Sequence, residues 1–368
     1  MAWIRTANSD DDSSSVDDVS LPDSAIVLSE GQFTFDSFVK PQPKSANLKK
    51  TVTIRLPALY SSIMAKPARL NPHWNTIVSQ SSDEWARDVM KLSDKAFARH
   101  CKGQMTLLAA GFVPDADAHC YRIMCDFMEW VFFFDDMFDE GCLREDPFAA
   151  REEIEAHLAI HSPTHHLITP EENPVRHMYQ VLWRKIEAIS SPGAQQRYIQ
   201  GMRHYFEGCL VQVDAYHWHS KGFAATTPMY NITLPDHVWM HPMIKEAEDT
   251  ATYITFIHND IFSYRKEQPD AVPHNTVFIL QRERGYTVQE AFNFADDLLK
   301  QAFQRWHWAQ QHMPSWGGET DIQVQRYLEG LLDQAKANLH WSFDSGRYFG
   351  KDSEKARKTM TIEMPIEE

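Results

Sequence analysis

Two stretches carry side chains whose types and spacing could hold a metal ion. In DFMEWVFFFDDMFDE, residues 126–140, an apolar run ends in Asp135, Asp136, Asp139 and Glu140. On a helix Asp135 and Asp139 share one face about 6 Å apart, with Asp136 one position aside. Four acids in such a turn repel one another unless a cation sits among them, and hard oxygen ligands suit Mg²⁺. Phe132 falls one turn before Asp135, so a single helix can line an apolar cavity and carry carboxylates at its mouth. Read alone, the pattern also fits a core helix that emerges into an acidic loop.

The second stretch is HNDIFSYRKE, in which Asn259, Ser263 and Glu267 recur every four residues. Each such step turns a helix by about 40 degrees, so the three form a shallow stripe. An amide oxygen, a hydroxyl and a carboxylate are all oxygen donors, a coherent Mg²⁺ set if diphosphate and water complete it. Asp260 sits beside the stripe in a supporting position. Lys266 is placed to meet a diphosphate oxygen, or else, with Arg265, to neutralise Glu267. Either motif alone fits a solvated helical face; the two together are far less ambiguous, because both follow apolar runs and can meet across one greasy cavity.

The chemistry of that pairing is metal-assisted ionisation. A diphosphate approaches acidic helices only with cations between them, and Mg²⁺ stabilises charge that builds on a departing diphosphate. An allylic leaving group would leave a delocalised carbocation, which aromatic faces hold by about 1–2 kcal/mol per desolvated contact. Phe132 is the member of the Phe132–Phe134 run that shares the Asp135 side, and Trp341 is a further candidate; core packing is the default role of any one aromatic.

The elements that must position these groups are helices. Helix-compatible patterns dominate and no series of alternating strands appears, so the expected class is all-α. Residues 1–50 are polar and are expected to be a disordered tail, 51–60 an ordered strap, 51–355 one helical domain, and 356–368 a polar tail. Helices are expected from near Trp74, from Ser82 to Met90, over 94–110, and then, capped by Asp115, through the acidic cluster. Others are expected at 148–159, 174–190, 194–216, 244–264, 286–311 and 319–340. His161, His165 and His166 lie in a Pro-punctuated loop and are expected as surface histidines, since no zinc spacing supports them.

Composition narrows the partners. The 368 residues are 43% hydrophobic, ample for a sizeable core. With 36 Lys and Arg against 51 Asp and Glu, the formal charge of −15 opposes binding to nucleic acid or anionic membranes. No apolar run approaches membrane-spanning length and the N-terminus lacks a secretory pattern. Five cysteines form no CxxC pair and suit a reducing compartment, so a cytoplasmic protein, monomer or homodimer, is expected.

The motifs together resemble the class I terpene cyclases of fungi, especially sesquiterpene synthases. FFFDDMFDEG is similar to their aspartate-rich motif and NDIFSYRKE to their Asn-Ser-Glu motif; RLNPHW at 69–74 and WSFDSGRYFG at 341–350 extend the likeness over roughly residues 53–350. The resemblance implies a class I isoprenoid synthase bundle around a central pocket, with three Mg²⁺ ions in the substrate complex. It implies metal binding by Asp135, Asp136 and Asp139 and by Asn259, Ser263 and Glu267. Lys266, Arg347 and Tyr348 would contact diphosphate, Arg347 and Tyr348 closing over it, and Phe132 and Trp341 would line the pocket. Farnesyl diphosphate would be the usual substrate, giving a sesquiterpene hydrocarbon or alcohol. One departure stands out: no arginine occurs from His204 through His258, where the family carries a diphosphate-sensing one. Lys221 or a nearby histidine could compensate. That gap makes an impaired or noncatalytic diphosphate binder the alternative reading. Chain-elongating prenyl transfer is a second, disfavoured because its second motif is ordinarily aspartate-rich.

Overall fold

The computed structural model describes residues 51–139, 141, 143, 146–214, 232–268 and 275–365; the side chains of 139 and 211–214 also lie outside the described set. The expectations for residues 1–50 and for Lys221 therefore fall outside it.

The chain opens with strand β1 (Thr51–Arg55) and helices α1 (Ile77–Val89), α2 (Asp94–His100), α3 (Met105–Phe112) and α4 (Ala118–Asp139). Next come α5 (Pro147–Ala159), α6 (Pro174–Ile189), α7 (Pro192–Asp214) and the short α8 (Asp236–Trp239). The second half holds α9 (Pro242–Glu267), α10 (Thr276–Arg284), α11 (Val288–Gln311), α12 (Gly318–Asp344), α13 (Ser353–Thr359) and strand β2 (Thr361–Pro365). The all-α expectation holds, the two short strands forming one antiparallel pair.

Local chemistry sets many of the boundaries. Prolines at 147, 174 and 242 open α5, α6 and α9, where a missing N–H costs nothing. Thr287 and Glu290 form a reciprocal capping box on α11. Gly285, at φ 66°, ends α10 in the left-handed conformation.

Several expectations are corrected. Ser82 does not start a helix; it is buried inside α1, which Thr76 caps, and its hydroxyl donates to Asp126 Oδ1 at 2.6 Å. The segment 94–110 is two helices, because the chain turns at Gln104 with φ 51°. Asp117, not Asp115, accepts the Cys120 N–H at the start of α4, while Asp115 pairs with Arg69. His161 is no surface residue: its Nε2 meets the Tyr179 hydroxyl at 2.9 Å and its ring packs on Trp183. Within the stretch 356–368 expected as a polar tail, the described residues belong to α13 and β2, and 366–368 lie outside the described set. Ile362 and Met364 alternate inward from β2, and β2 pairs with β1 over Thr51–Arg55.

Helix α4 runs through the first core cluster, with α1, α3 and α6 packed against it. Helix α9 is central to the second half, against α11 and α12. Helix α12 joins the halves by packing on α3 as well as α9. Gly111 makes that junction close: a Cβ there would stand 2.4 Å from Ala337 Cβ, so only glycine fits.

Candidate active site

A cavity of ≈ 310 Å³ lies between α3, α4, α7, α9 and α12. Helix α4 lines it with Phe127, Met128, Val131, Phe132 and Asp135, a run at helical spacing that ends in the carboxylate. Helix α9 does the same with Thr252, Thr255, Phe256, Asn259, Ser263, Lys266 and Glu267. On α4 an apolar run precedes the carboxylate; on α9 two threonines and Phe256 precede Asn259, Ser263, Lys266 and Glu267, so both helices carry their charged groups at their C-terminal ends. Arg347 and Tyr348, which follow α12, and Trp341 within it complete the lining. Asp135, Asn259, Ser263, Lys266, Glu267, Arg347, Tyr348, Phe132 and Trp341 are thus brought to one cavity from segments more than 200 residues apart.

Hydrogen bonds across the cavity fix the oxygen donors. The Tyr205 hydroxyl of α7 donates to Asp135 Oδ1 at 3.2 Å. Asn259 Nδ2 donates to Tyr348 Oη at 3.1 Å, which leaves its carbonyl oxygen as the group able to hold a cation. Arg347 donates from Nη2 to Asp136 Oδ1 at 3.2 Å and lies 4.9 Å from the Phe132 ring centre. Burial opposes the Arg347 charge, but Asp136, Tyr348 and Asp135 outweigh it and raise its pKa further. Burial, with Glu267 and Asp135 adding to it, pushes the Tyr348 hydroxyl up to about 12, against the opposing pull of Arg347. Tyr348 is therefore neutral at pH 7 and can donate to an anion.

The structure separates neighbours that the sequence grouped. Asp136 lies outside the cavity lining and reaches the site through its ion pair with Arg347. Asp139 ends α4, and its side chain is outside the described set. Asp260 turns from the stripe: its Oδ2 accepts from the Thr276 N–H at 2.9 Å and the Thr276 hydroxyl at 2.5 Å, pinning the start of α10. Burial pushes the Asp260 carboxyl up to about 7 despite those bonds, with Glu267 adding to the rise. Of the three consecutive phenylalanines only Phe132 lines the cavity. Phe133 stacks on His100, and Phe134 packs among Trp130, His157 and Phe206. Trp341 is held by donating from Nε1 to the Gly103 carbonyl at 2.7 Å, and its ring meets Phe132 at 5.4 Å.

Asn275 and Tyr205 are the residues that sequence reasoning missed. Asn275 is fully buried and caps α10 through Oδ1, which accepts the Val277 N–H at 2.9 Å. Its Nδ2 donates to Ser263 Oγ at 3.2 Å, Glu267 Oε2 at 3.0 Å and the Asp260 carbonyl at 2.9 Å. An Asn-Thr pair opening a helix just after a motif was the available signal; it reads equally as a cap with no link to the stripe.

A helical bundle around a mostly apolar cavity with oxygen donors at one end is the architecture of a class I terpene synthase, and known proteins bear this out. The family model described as "Terpene synthase family 2, C-terminal metal binding" matches residues 126–224 and 222–305. This chain belongs to the terpene synthase family. It is 33% identical to silphinene synthase of Penicillium patulum over 87% of this chain and 92% of that protein. It is 32% identical to terpene cyclase 4 of Gibberella fujikuroi over 85% and 90%. Germacradien-4-ol synthase from Streptomyces citricolor has the same fold, with TM-score 0.65, 22% identity and coverage of 77% of this chain and 98% of that one. The two matched pieces of the family model meet at 222–224 with no residue between them, inside the segment where the arginine is lacking. Divalent-metal binding follows from the family, and no described helix is long and apolar enough to cross a membrane.

Proposed function

We propose that this enzyme ionises farnesyl diphosphate with Mg²⁺ and cyclises the resulting cation to a sesquiterpene hydrocarbon or alcohol. The carrying observation is that oxygen donors of α4 and α9 and the cations Lys266 and Arg347 line a single cavity whose remainder is mostly apolar, with Thr252, Thr255 and Asn338 among its polar members. Asp135 on one side, and Asn259, Ser263 and Glu267 on the other, supply only oxygen donors, a set suited to a hard cation. Mg²⁺, three ions in the substrate complex, would supply neutralisation of the diphosphate and stabilisation of the charge it gains on leaving.

The protein's own groups do the rest. Lys266, Arg347 and the neutral Tyr348 hydroxyl hold the diphosphate oxygens, with Arg347 providing the directed guanidinium donors that the 204–258 stretch lacks. Phe132, Trp341 and the other apolar residues exclude water and present ring faces to positive charge. Asp136 orients Arg347, and Asp139, at the end of α4, joins Asp135 as a metal ligand.

The substrate length finds support in relatives whose names record sesquiterpene products, among them the sesquiterpene synthases of Postia placenta, 31% identical over 80% of this chain. The synthase and cyclase names of these relatives favour turnover over a noncatalytic binder and cyclisation over chain elongation. Incubating the full chain and Mg²⁺ separately with geranyl, farnesyl and geranylgeranyl diphosphates tests the reading. Diphosphate release and a volatile fifteen-carbon product are expected from farnesyl diphosphate alone; absence of turnover on all three overturns it.

A further inference from the structure

A second group of ligand-type side chains stands behind α4, outside the cavity. Asp83 of α1, His100 at the end of α2 and Glu129 of α4 place one imidazole nitrogen and two carboxylate oxygens within 4.8 Å of one another. None of the three lines the cavity. Glu129 precedes Asp135 by six residues, which on a helix is about 9 Å along the axis and about 120° round it. The cluster therefore lies off the face of α4 that lines the cavity, on the side of Asp136.

The groups are built in, not loosely clustered at the surface. Glu129 is fully buried, His100 has 8% of its side chain exposed, and Asp83 is half-buried. The His100 ring lies flat against Phe133, with centroids 5.2 Å apart and planes 7° apart, which fixes the direction of its Nε2. That nitrogen meets Glu129 Oε2 at 2.5 Å. The other oxygen, Glu129 Oε1, is buried and meets no N–H or hydroxyl donor; the only group able to answer it among the described neighbours is the adjacent Asp83 carboxyl, with which Glu129 can share a proton. Two carboxyl groups packed together and sealed from water repel when both are ionised, and a cation in place of the shared proton would satisfy both.

We propose that Asp83, His100 and Glu129 bind a divalent cation of the zinc class at a site separate from the cavity. The imidazole is the discriminating ligand: it suits zinc and its transition-metal neighbours, whereas Mg²⁺ takes oxygen ligands. Ligand atoms round a tetrahedral zinc stand about 3.3 Å apart. Binding therefore parts His100 from Glu129 slightly and draws the widest pair inward, within the reach of side-chain rotation. Three protein ligands leave a fourth position for water, reached past Asp83, the most exposed member. The site braces α1 and α2 against the helix that carries Asp135.

Cobalt(II), a spectroscopic stand-in for zinc, tests the assignment on the full chain. A Asp135→Asn/Glu267→Gln variant, its cavity donors weakened, is expected to retain one equivalent of Co²⁺ in equilibrium dialysis with a visible absorption band. His100→Gln and Asp83→Asn, each checked for native helicity by circular dichroism, are expected to lose that band, with affinity down at least about tenfold. In crystals of the unaltered chain soaked in zinc chloride, an anomalous peak is expected between the three side chains. Failure of the double variant to bind Co²⁺, an unchanged band in either single variant, or no anomalous peak overturns the proposal. The His100–Glu129 ion pair would then be sufficient by itself. No turnover is measured, so the result stands apart from the test of farnesyl diphosphate ionisation.

Discussion

At the residue scale, the Asn275 amide ties together two of the proposed metal ligands. Its Nδ2 reaches Ser263 and Glu267 while its Oδ1 caps α10, so the two side chains are aligned before any cation arrives. Replacing Asn275 with Ala is expected to weaken apparent Mg²⁺ affinity by about 10–100-fold, as loss of a group supporting ligands commonly does. The measurement is a metal titration of diphosphate release; an unchanged titration would reduce Asn275 to a helix cap. Asp135→Asn keeps the side-chain shape and removes the charge, and should lower kcat/KM for farnesyl diphosphate by at least about a hundredfold. Tyr205→Phe, which removes only the hydroxyl that orients Asp135, should cost much less. Trp341→Leu should shift the product distribution seen by gas chromatography more than it shifts thermal stability, because the ring faces Phe132 in the cavity.

At the element scale, the cavity exists because α3, α4, α9 and α12 hold fixed spacings. Gly111 sets one of them by letting α3 approach Ala337 of α12 more closely than a Cβ permits. Gly111→Ala must push the two helices apart and is expected to cost about 1–3 kcal/mol in a urea melt, with catalysis altered because α12 carries Trp341 and leads to Arg347. A variant as stable as the parent would mean that the α3–α12 contact relaxes freely. A buried Glu153 on α5 plays a similar part for α6, accepting from Arg176 Nε at 3.0 Å and Nη2 at 2.6 Å. Burial opposes its ionisation, but hydrogen bonds from His157 and Arg176 outweigh it and hold the carboxyl down to about 2. A depressed carboxyl binds fewer protons folded than unfolded. Its contribution is therefore present above the unfolded value of 4.5 and disappears as pH falls toward about 2. Glu153→Gln is expected to destabilise the protein by about 3 kcal/mol at neutral pH. In chemical denaturation the gap between variant and parent should close between pH 4.5 and 2.

At the scale of the whole molecule, a charge of −15 surrounds a site meant for an anion, so local cations must reverse the field. Lys266 and Arg347 line the cavity and, in the proposed function, reverse it there together with the metals the family binds. The β1–β2 pair closes the described fold by joining residue 51 to residue 365, with Ile54 and Ile362 buried in the same cluster. Ile362→Ala should therefore lower stability by about 2–5 kcal/mol, a loss out of proportion to a terminal position.

The linear order of residues settled the helical class, because apolar side chains at helical spacing leave few other ways to bury themselves. It also exposed the stripe proposed to hold a metal, since Asn259, Ser263 and Glu267 recur every four residues, close to the helical period, and need no other segment to be recognised. The acidic cluster was legible as a group, but not the division within it: Asp135 faces the cavity while Asp136 turns to Arg347, an outcome set by how α4 is rotated against its neighbours. Long-range contacts decided Tyr205, Asn275 and the C-terminal strand as well. Each acts through a partner that folding brings close, and a five-residue strand or single amide carries too little periodicity to announce that partner in advance. The chain's order thus specified which chemical groups were available; tertiary packing chose which of them share one cavity, because side-chain direction and helix approach depend on contacts made from elsewhere in the sequence.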